Sequence, residues 1–425
     1  MNIVTLLFQL IVCFSSLLAA VIITFRVRRF EKLNASFVQS GLMRIVQAAV
    51  HWIAFIITLI GIAVPFIAFF SSCIAFASSL PLAVRATRMK TAYFWPLPLV
   101  LAMASIVVAI TQPLGLKVIA LPKAADLPFK PSRARVIKTY DEGLWFEGIA
   151  AGEDGTLYLS GNRGLDFSKA DYYREAHGEL IARKPDGNER IIFRTPKGLT
   201  SGVPVVTQDN SIYLTGHGDT SYIWHIDASG QALSLAQFPA GAWPNGLDIG
   251  PDGMLYSPDS SLGVIWRVDP KNGHVEVAIR DAALQARAYI SLAPGANGLH
   301  FKGHDLLVTV SDRTTVLRYA MNAQGQFSPA SVMASGIPGD DFAIGMDGSL
   351  FITTHPYNTV VRVSPDGGRT IVGKMEQHIV GATDAVFGKT EHDRNTLYVV
   401  TDGGAFTGGP KTRGELVALE PYLKQ

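Results

Sequence analysis

The stretch PNGLDIGPDGMLYSPD, residues 244–259, decides how the rest of the chain reads. A short apolar run turns back at Pro-Asp-Gly into a second run that ends on small polar residues, which is the pattern of two strands joined by a tight turn. The unit recurs about every 43 to 55 residues, the spacing of propeller blades. Its other copies are FEGIAAGEDGTLYLS (146–160), GVPVVTQDNSIYLT (202–215), ANGLHFKGHDLLVTVSD (296–312), DDFAIGMDGSLFITTH (340–355) and ATDAVFGKTEHDRNTLYVVTD (382–402). A third strand follows each, as in GVIWRVDPKNG (263–273) and TVVRVSPDGG (359–368). Six copies predict an all-β, six-bladed β-propeller over residues 135–425. The last copy stops after its third strand, at Glu420, so RVIKTY (135–140) is expected to close the ring as the outer strand of the sixth blade.

The rest of the chain is of another kind. Of 37 basic and 35 acidic residues, residues 1–116 hold eight and one, leaving 29 against 34 beyond them. Residues 3–25 and 45–84 carry no Asp, Glu, Lys or Arg, and 93–116 form a third apolar run entered through AYFWP. A helix needs about 20 such residues to cross a bilayer. The pattern predicts an α-helical transmembrane region over residues 1–116 with three or four spans, then a proline-rich linker over 117–134. RVRRFEK follows the first run directly, so that run reads as a retained helix and not a cleaved signal. If 45–84 is a hairpin broken at Pro65, the spans number four, both basic loops face the cytoplasm, and the propeller is extracytoplasmic. The expected localisation is a multi-pass integral membrane protein whose partners include the lipid bilayer.

Several classes are excluded. The propeller region has no arginine-rich stripe, so nucleic acid is not an expected partner. Both cysteines, Cys13 and Cys73, lie in apolar runs, which leaves the propeller no disulfide and no thiolate metal site. GxSxG, HExxH and CxxC are absent, and GAFTGGPKT (404–412) places Pro410 where a phosphate loop needs glycine.

The first strand of every blade lines the tunnel, so equivalent residues of different blades converge on one ring. Glu147, Asn245, Asn297 and Asp340 stand at equivalent points of blades one, three, four and five. Alone, each Asn-Gly reads as a hairpin turn and each acid as a solvated loop residue. Together they read as four oxygen donors with two negative charges, suited to calcium before magnesium and hardly to zinc.

From 135 to about 420 the chain resembles regucalcin (senescence marker protein) and the gluconolactonases, and more distantly diisopropyl fluorophosphatase and the paraoxonases. EG in blade one, PNGLDIGPDG in blade three, ANGL in blade four and DDFAIGMDG in blade five carry the resemblance. It implies a catalytic divalent cation, Ca2+ or another, held by a Glu, two Asn and an Asp, which fall on Glu147, Asn245, Asn297 and Asp340. Asp341 is a second-choice ligand, since the paraoxonases use two adjacent residues there. The membrane region departs from the soluble relatives, as does WFEGIA, where they often have Pro after EG.

Residues after each second strand are expected to rim the tunnel: Asn162, Arg163, His217, Asp219, Asp259, Asp312, Arg313, His355 and Asp402. Asp340, His217 and His355 are the candidates for moving a proton, with Asp219 of HGD a possible partner for His217. Arg163, Asp259, Arg313 and Asp402 are the candidates for substrate contact. The expected function is a membrane-anchored, calcium-dependent, gluconolactonase-like hydrolase of lactones or esters, in which metal-activated water attacks a carbonyl. The alternatives are a non-catalytic ligand- or protein-binding propeller with a structural calcium, and a metal-free propeller of the strictosidine-synthase branch. Retention of all four ligands argues against the last.

Overall fold

A computed structural model describes residues 126–166, 172–287, 293–355, 357–405 and 409–423. The expected membrane spans and the first part of the expected linker lie outside the described residues. Among the described residues no helix is long and apolar enough to cross a membrane.

Among the described residues, six four-stranded antiparallel sheets account for 24 strands. Blade one is β2 (Trp145–Ala151), β3 (Leu157–Arg163), β4 (His177–Arg183) and β5 (Glu189–Arg194), after the opening strand β1 (Arg133–Thr139). Blade two is β6 (Thr200–Val206), β7 (Ile212–His217), β8 (Tyr222–Ile226) and β9 (Ala232–Gln237). Blade three is β10 (Asp248–Ile249), β11 (Leu255–Pro258), β12 (Val264–Val268) and β13 (Val275–Arg280). Blade four is β14 (Ala296–Lys302), β15 (Asp305–Val310), β16 (Thr315–Ala320) and β17 (Ser331–Ser335). Blade five is β18 (Phe342–Ile344), β19 (Leu350–Thr354), β20 (Thr359–Val363) and β21 (Arg369–Gly373). Blade six holds β22 (Ala382–Phe387), β23 (Leu397–Thr401) and β24 (Glu415–Glu420), with β1 outermost.

Closure follows the expected route. β1 pairs antiparallel with β24, from Arg133 opposite Glu420 to Thr139 opposite Glu415. It begins two residues earlier than expected, inside the stretch assigned to the linker. The residues before it are also engaged: Lys130 N–H donates to Ile371 O (2.9 Å), Ser132 N–H to Val372 O (2.7 Å), and Ile371 N–H to Pro128 O (2.8 Å). An edge strand leaves a row of unpaired backbone groups, and β21 satisfies some of its own with this segment. Pro128 and Pro131 suggested a free linker, yet proline is tolerated where only alternate residues donate.

The apolar positions of adjacent blades interdigitate as separate cores. Tyr140, Leu144, Phe146 and Ile149 of the entry strands pack on Val400 and Leu416 of blade six. Tyr256 and Ile265 of blade three pack on Leu299, Leu306 and Val308 of blade four. Burial of this kind contributes about 25 cal/mol per Å² of apolar area and holds the wedges together around the axis.

Near the axis the first strands break register. The ladder shifts between Phe146 and Gly148, between Ser201 and Pro204, between Ala296 and Leu299, and between Ala382 and Asp384. Glu147, Gly202, Asn297 and Thr383 stand at these bulges, which re-aim a side chain out of the pleat. Hydroxyls of the second strands fix the same layer. Thr215 Oγ1 accepts from Val203 N–H and donates to Asn245 O (2.9 and 3.0 Å). Thr309 Oγ1 does the same between Gly298 N–H and Asp340 O (2.8 and 2.6 Å), and Thr353 Oγ1 between Asp341 N–H and Thr383 O (3.1 and 2.8 Å). Each hydroxyl thus ties the inner segment of its own blade to the next blade.

Candidate metal centre

The Asn-Gly pairs are not turns. Neither Asn245 nor Asn297, nor the glycine after either, has positive φ among the described residues. Glycine is needed for close approach: a Cβ on Gly298 would stand 2.6 Å from Asp341 Cα, and one on Gly246 would stand 3.0 Å from Asn297 O. Asn245 and Asn297 are buried at 7% and 4% exposure.

The hydrogen bonds leave a consistent set of oxygens. Asn297 Nδ2 donates to Ser311 Oγ (3.0 Å) and to Asp340 Oδ1 (2.6 Å). Asn245 Nδ2 points to Ser260 Oγ at 3.4 Å. With both amide nitrogens so engaged, the Oδ1 atom of each asparagine accepts no hydrogen bond among the described residues. Glu147 makes none at all there. Burial pushes its carboxyl up to about 7, opposed by the charge of His355 and reinforced by Asp402 and Asp341. Burial likewise holds Asp340 well above the ordinary carboxylate range, with His355 again opposing and Glu147 and Asp341 reinforcing.

Only oxygen atoms are presented by Glu147, Asn245, Asn297 and Asp340. Two buried carboxyl groups that share one imidazole, with two amide carbonyls that accept no hydrogen bond among the described residues, fit a hard cation such as calcium. Buried carboxyl groups in this state retain protons unless a positive charge joins them.

His355 and Asp402 complete this layer. His355 Nε2 lies 2.9 Å from Asp402 Oδ2, and Nδ1 lies 3.7 Å from Asp340 Oδ2. Gly404 N–H holds the other Asp402 oxygen (2.6 Å). Burial alone would lower the imidazole, but the Asp402 hydrogen bond and the charges of Asp402, Asp340 and Glu147 raise it to about 9.

Other expected rim residues are engaged elsewhere. Asp259 is fully buried and accepts from Trp243 N–H, Ser261 N–H, Leu262 N–H and Trp266 Nε1. Four donors leave it as a turn-former that seats Trp243, in place of the substrate contact expected of it. Arg313 donates to Gln285 O (2.6 Å) and Ala282 O (3.0 Å), pinning a short 3-10 turn. Arg163 pairs with buried Glu179 (3.2 Å), which also pairs with Arg194. Arginines reached the rim by sequence position, but the nearest unpaired backbone oxygens and carboxylates took them.

His217 also departs from expectation. Its ring stacks on Trp243, with centroids 4.5 Å apart and planes at 9°, and neither nitrogen has a hydrogen-bond partner among the described residues. Asp219 accepts instead from Tyr173 Oη (2.7 Å), so HGD makes no dyad. Burial lowers His217 to about 3.

Further along the inner strands stand Asp248, His300 and Asp384, which the comparison of blade openings does not single out. Asp248 and His300 each follow a ring asparagine by three residues, and that shared offset is their signal in the sequence. Asp341 belongs here too, since its Oδ1 faces His300 Nε2 at 3.2 Å. The second-choice ligand therefore turns away from Asp340.

No family model matches the chain. It is 26% identical over 337 residues to a candidate hetero-Diels-Alderase of Sarocladium schorii, covering 68% of this chain and 82% of that protein. Among solved structures it is similar to a gluconolactonase of Xanthomonas campestris, at 20% identity and a TM-score of 0.49, covering 71% of this chain and 97% of the other. It is similar also to a calcium-binding regucalcin of Agrobacterium tumefaciens, at 18% identity and a TM-score of 0.48, covering 70% and 98%. Likeness at this level assigns no activity, and the six blades rest on the strand pairing above.

Proposed function

We propose that the chain is a membrane-anchored, calcium-dependent hydrolase of lactones or esters. The observation that supports this reading is the buried Glu147 carboxyl, which makes no hydrogen bond among the described residues and is electrostatically coupled to Asp340, itself bonded to Asn297. These four residues would hold the cation, with another divalent ion able to replace calcium. When bound, it would polarise a substrate carbonyl and stabilise the resulting oxyanion. The rest of the chemistry falls to the side chains. Asp402 holds His355 through Nε2, and the charges of Asp402, Asp340 and Glu147 keep the ring protonated; with Asp340 and Glu147 offset by a bound cation, the imidazole would give up that charge and take the proton of an attacking water. Buried Trp266 and half-buried Trp243, both donating to Asp259, stiffen the adjacent wall.

The three apolar runs of residues 1–116 support a bilayer anchor with the propeller on the extracytoplasmic side. Extraction of membranes with alkaline carbonate should leave the chain in the pellet. Protease added to sealed vesicles with the cytoplasmic side inward should reach the propeller, and full protection would reverse the topology.

The test of activity is a panel of lactones and aryl esters offered to the full-length chain in detergent, with and without a calcium chelator. Chelator-sensitive hydrolysis is expected. Normal calcium binding with an inert panel would favour a binding propeller with a structural ion. A second catalytic reading draws on the similarity to the candidate hetero-Diels-Alderase. In it the tunnel would fold one substrate for addition of a diene across a carbon–heteroatom double bond, with no water consumed. Product masses separate the two, since hydrolysis adds one water and cycloaddition adds none.

A further inference from the structure

The lower layer of the tunnel presents a second donor set of different chemistry. His300 in β14, Asp341 just before β18 and Asp384 in β22 each bring one ligand atom to within 4.8 Å of the others. They come from blades four, five and six. Asp341 and Asp384 are buried at 4% and 2% exposure. His300 Nδ1 faces Asp248 Oδ2 at 3.5 Å, and Nε2, 3.2 Å from Asp341 Oδ1, makes no hydrogen bond among the described residues.

The carboxylates keep room for another partner. Asp341 Oδ1 accepts from Phe342 N–H (2.8 Å), while Asp384 accepts from Ala385 N–H (2.6 Å) and Ile149 N–H (2.9 Å). A carboxylate offers about four acceptor positions, so each retains unused lone pairs. An ion pair alone does not balance the set. One imidazolium faces three carboxylates, those of Asp248, Asp341 and Asp384.

We propose that His300, Asp341 and Asp384 bind a first-row transition dication of the zinc or manganese class, at a site separate from the oxygen-only layer above. A carboxylate on one imidazole nitrogen is the arrangement that orients metal-bound histidines, and Asp248 supplies it. One nitrogen with two carboxylates selects such ions over calcium, which prefers oxygen alone. Asp384 also holds Ile149 N–H of blade one, so an ion here ties the closing blade to its neighbours.

The experiment uses the full-length chain in detergent, stripped with EDTA and then given excess calcium to fill the upper layer. Cobalt(II) and zinc are titrated in. A single cobalt equivalent is expected, with visible ligand-field absorption and imidazole-nitrogen coupling in pulsed EPR. Glu147→Gln should retain this equivalent, while His300→Phe and Asp384→Asn should lose it. Asp248→Asn should weaken it about 10- to 100-fold. Absence of uptake by the unaltered chain in excess calcium, or cobalt without nitrogen coupling, overturns the proposal, as does unchanged uptake by a folded His300→Phe. If that variant does not fold, the nitrogen coupling of the unaltered chain decides. An inert lactone panel would leave these readouts untouched.

Discussion

Asn297 Nδ2 donates to Asp340 Oδ1 across 2.6 Å, joining blades four and five at the axis by their side chains. The contact turns the amide nitrogen onto the carboxylate and leaves the amide oxygen free. It also places a negative charge 3.7 Å from His355, which Asp402 holds from the other side. Two carboxylates on one imidazole give the upper layer its sensitivity to charge.

His355→Gln and Asp402→Asn should each lower turnover while leaving calcium bound. Loss of a positioned proton acceptor costs about 100- to 10,000-fold in rate. The change should fall on kcat more than on KM, and calcium titration of the same preparations should match the unaltered chain within a few-fold. Equal turnover in both variants removes His355 from the chemistry.

Calcium affinity should fall in acid. Glu147, pushed up to about 7, must lose its proton before it can serve as a ligand, and Asp340 is raised in the same sense. Binding therefore releases protons below about pH 7, and each unit of acidification weakens it by up to about 1.4 kcal/mol per proton released. Calorimetry between pH 5 and 8 in buffers of different ionisation enthalpy measures both effects. Affinity that stays flat over this range contradicts the buried, protonated carboxyl groups.

His217 makes a separate prediction about stability. Its folded value of about 3 lies below the unfolded value near 6.5, so the unfolded chain binds more protons between them. Stability is then full above about pH 6.5 and declines as pH falls toward 3, by at most about 1.4 kcal/mol per unit from this residue. His217→Phe preserves the stack on Trp243 and should flatten that part of the acid limb in denaturant titrations. An acid limb of unchanged slope assigns the sensitivity elsewhere.

Blade spacing, turn chemistry and the incomplete last copy made the six-bladed ring legible before any coordinates. The meeting of Asn297 and Asp340 was legible because repetition converts sequence position into position around an axis. Rim roles were not. Whether Asp259 faces a ligand or collects four donors depends on the loop after Pro258, and Arg313 was free to reach carbonyls some 30 residues away only in the folded chain. His300 was not legible because the bulge at Asn297 shifts the pleat, so that an offset of three, and not two, brings a side chain to Asp341. The engaged segment before β1 was hidden by its prolines, since an edge partner needs no periodicity of its own.

The hydroxyl ties test how the layer is held in place. Thr309→Val keeps the shape of the side chain but removes the hydroxyl that supplements the direct bond from Gly298 N–H to Asp340 O (2.9 Å). Loss of one such hydrogen-bonding group costs about 0.5 to 1.5 kcal/mol. Thermal unfolding should shift down accordingly, and calcium affinity should weaken modestly because the strands that carry Asn297 and Asp340 lose one of their ties. Thr309→Ser restores the hydroxyl and should recover most of both.

The most direct measurement is calcium titration of the full-length chain beside its Glu147→Gln variant, followed by lactone and ester hydrolysis on the same samples. Glutamine keeps the shape of the side chain and removes a buried carboxylate that makes no hydrogen bond among the described residues. A single calcium site in the unaltered chain, lost or weakened at least about tenfold in Glu147→Gln together with hydrolysis, is the expected result. Equal calcium affinity in both chains, or hydrolysis that survives the substitution, would contradict the assignment of Glu147, Asn245, Asn297 and Asp340 as the cation site on which activity depends.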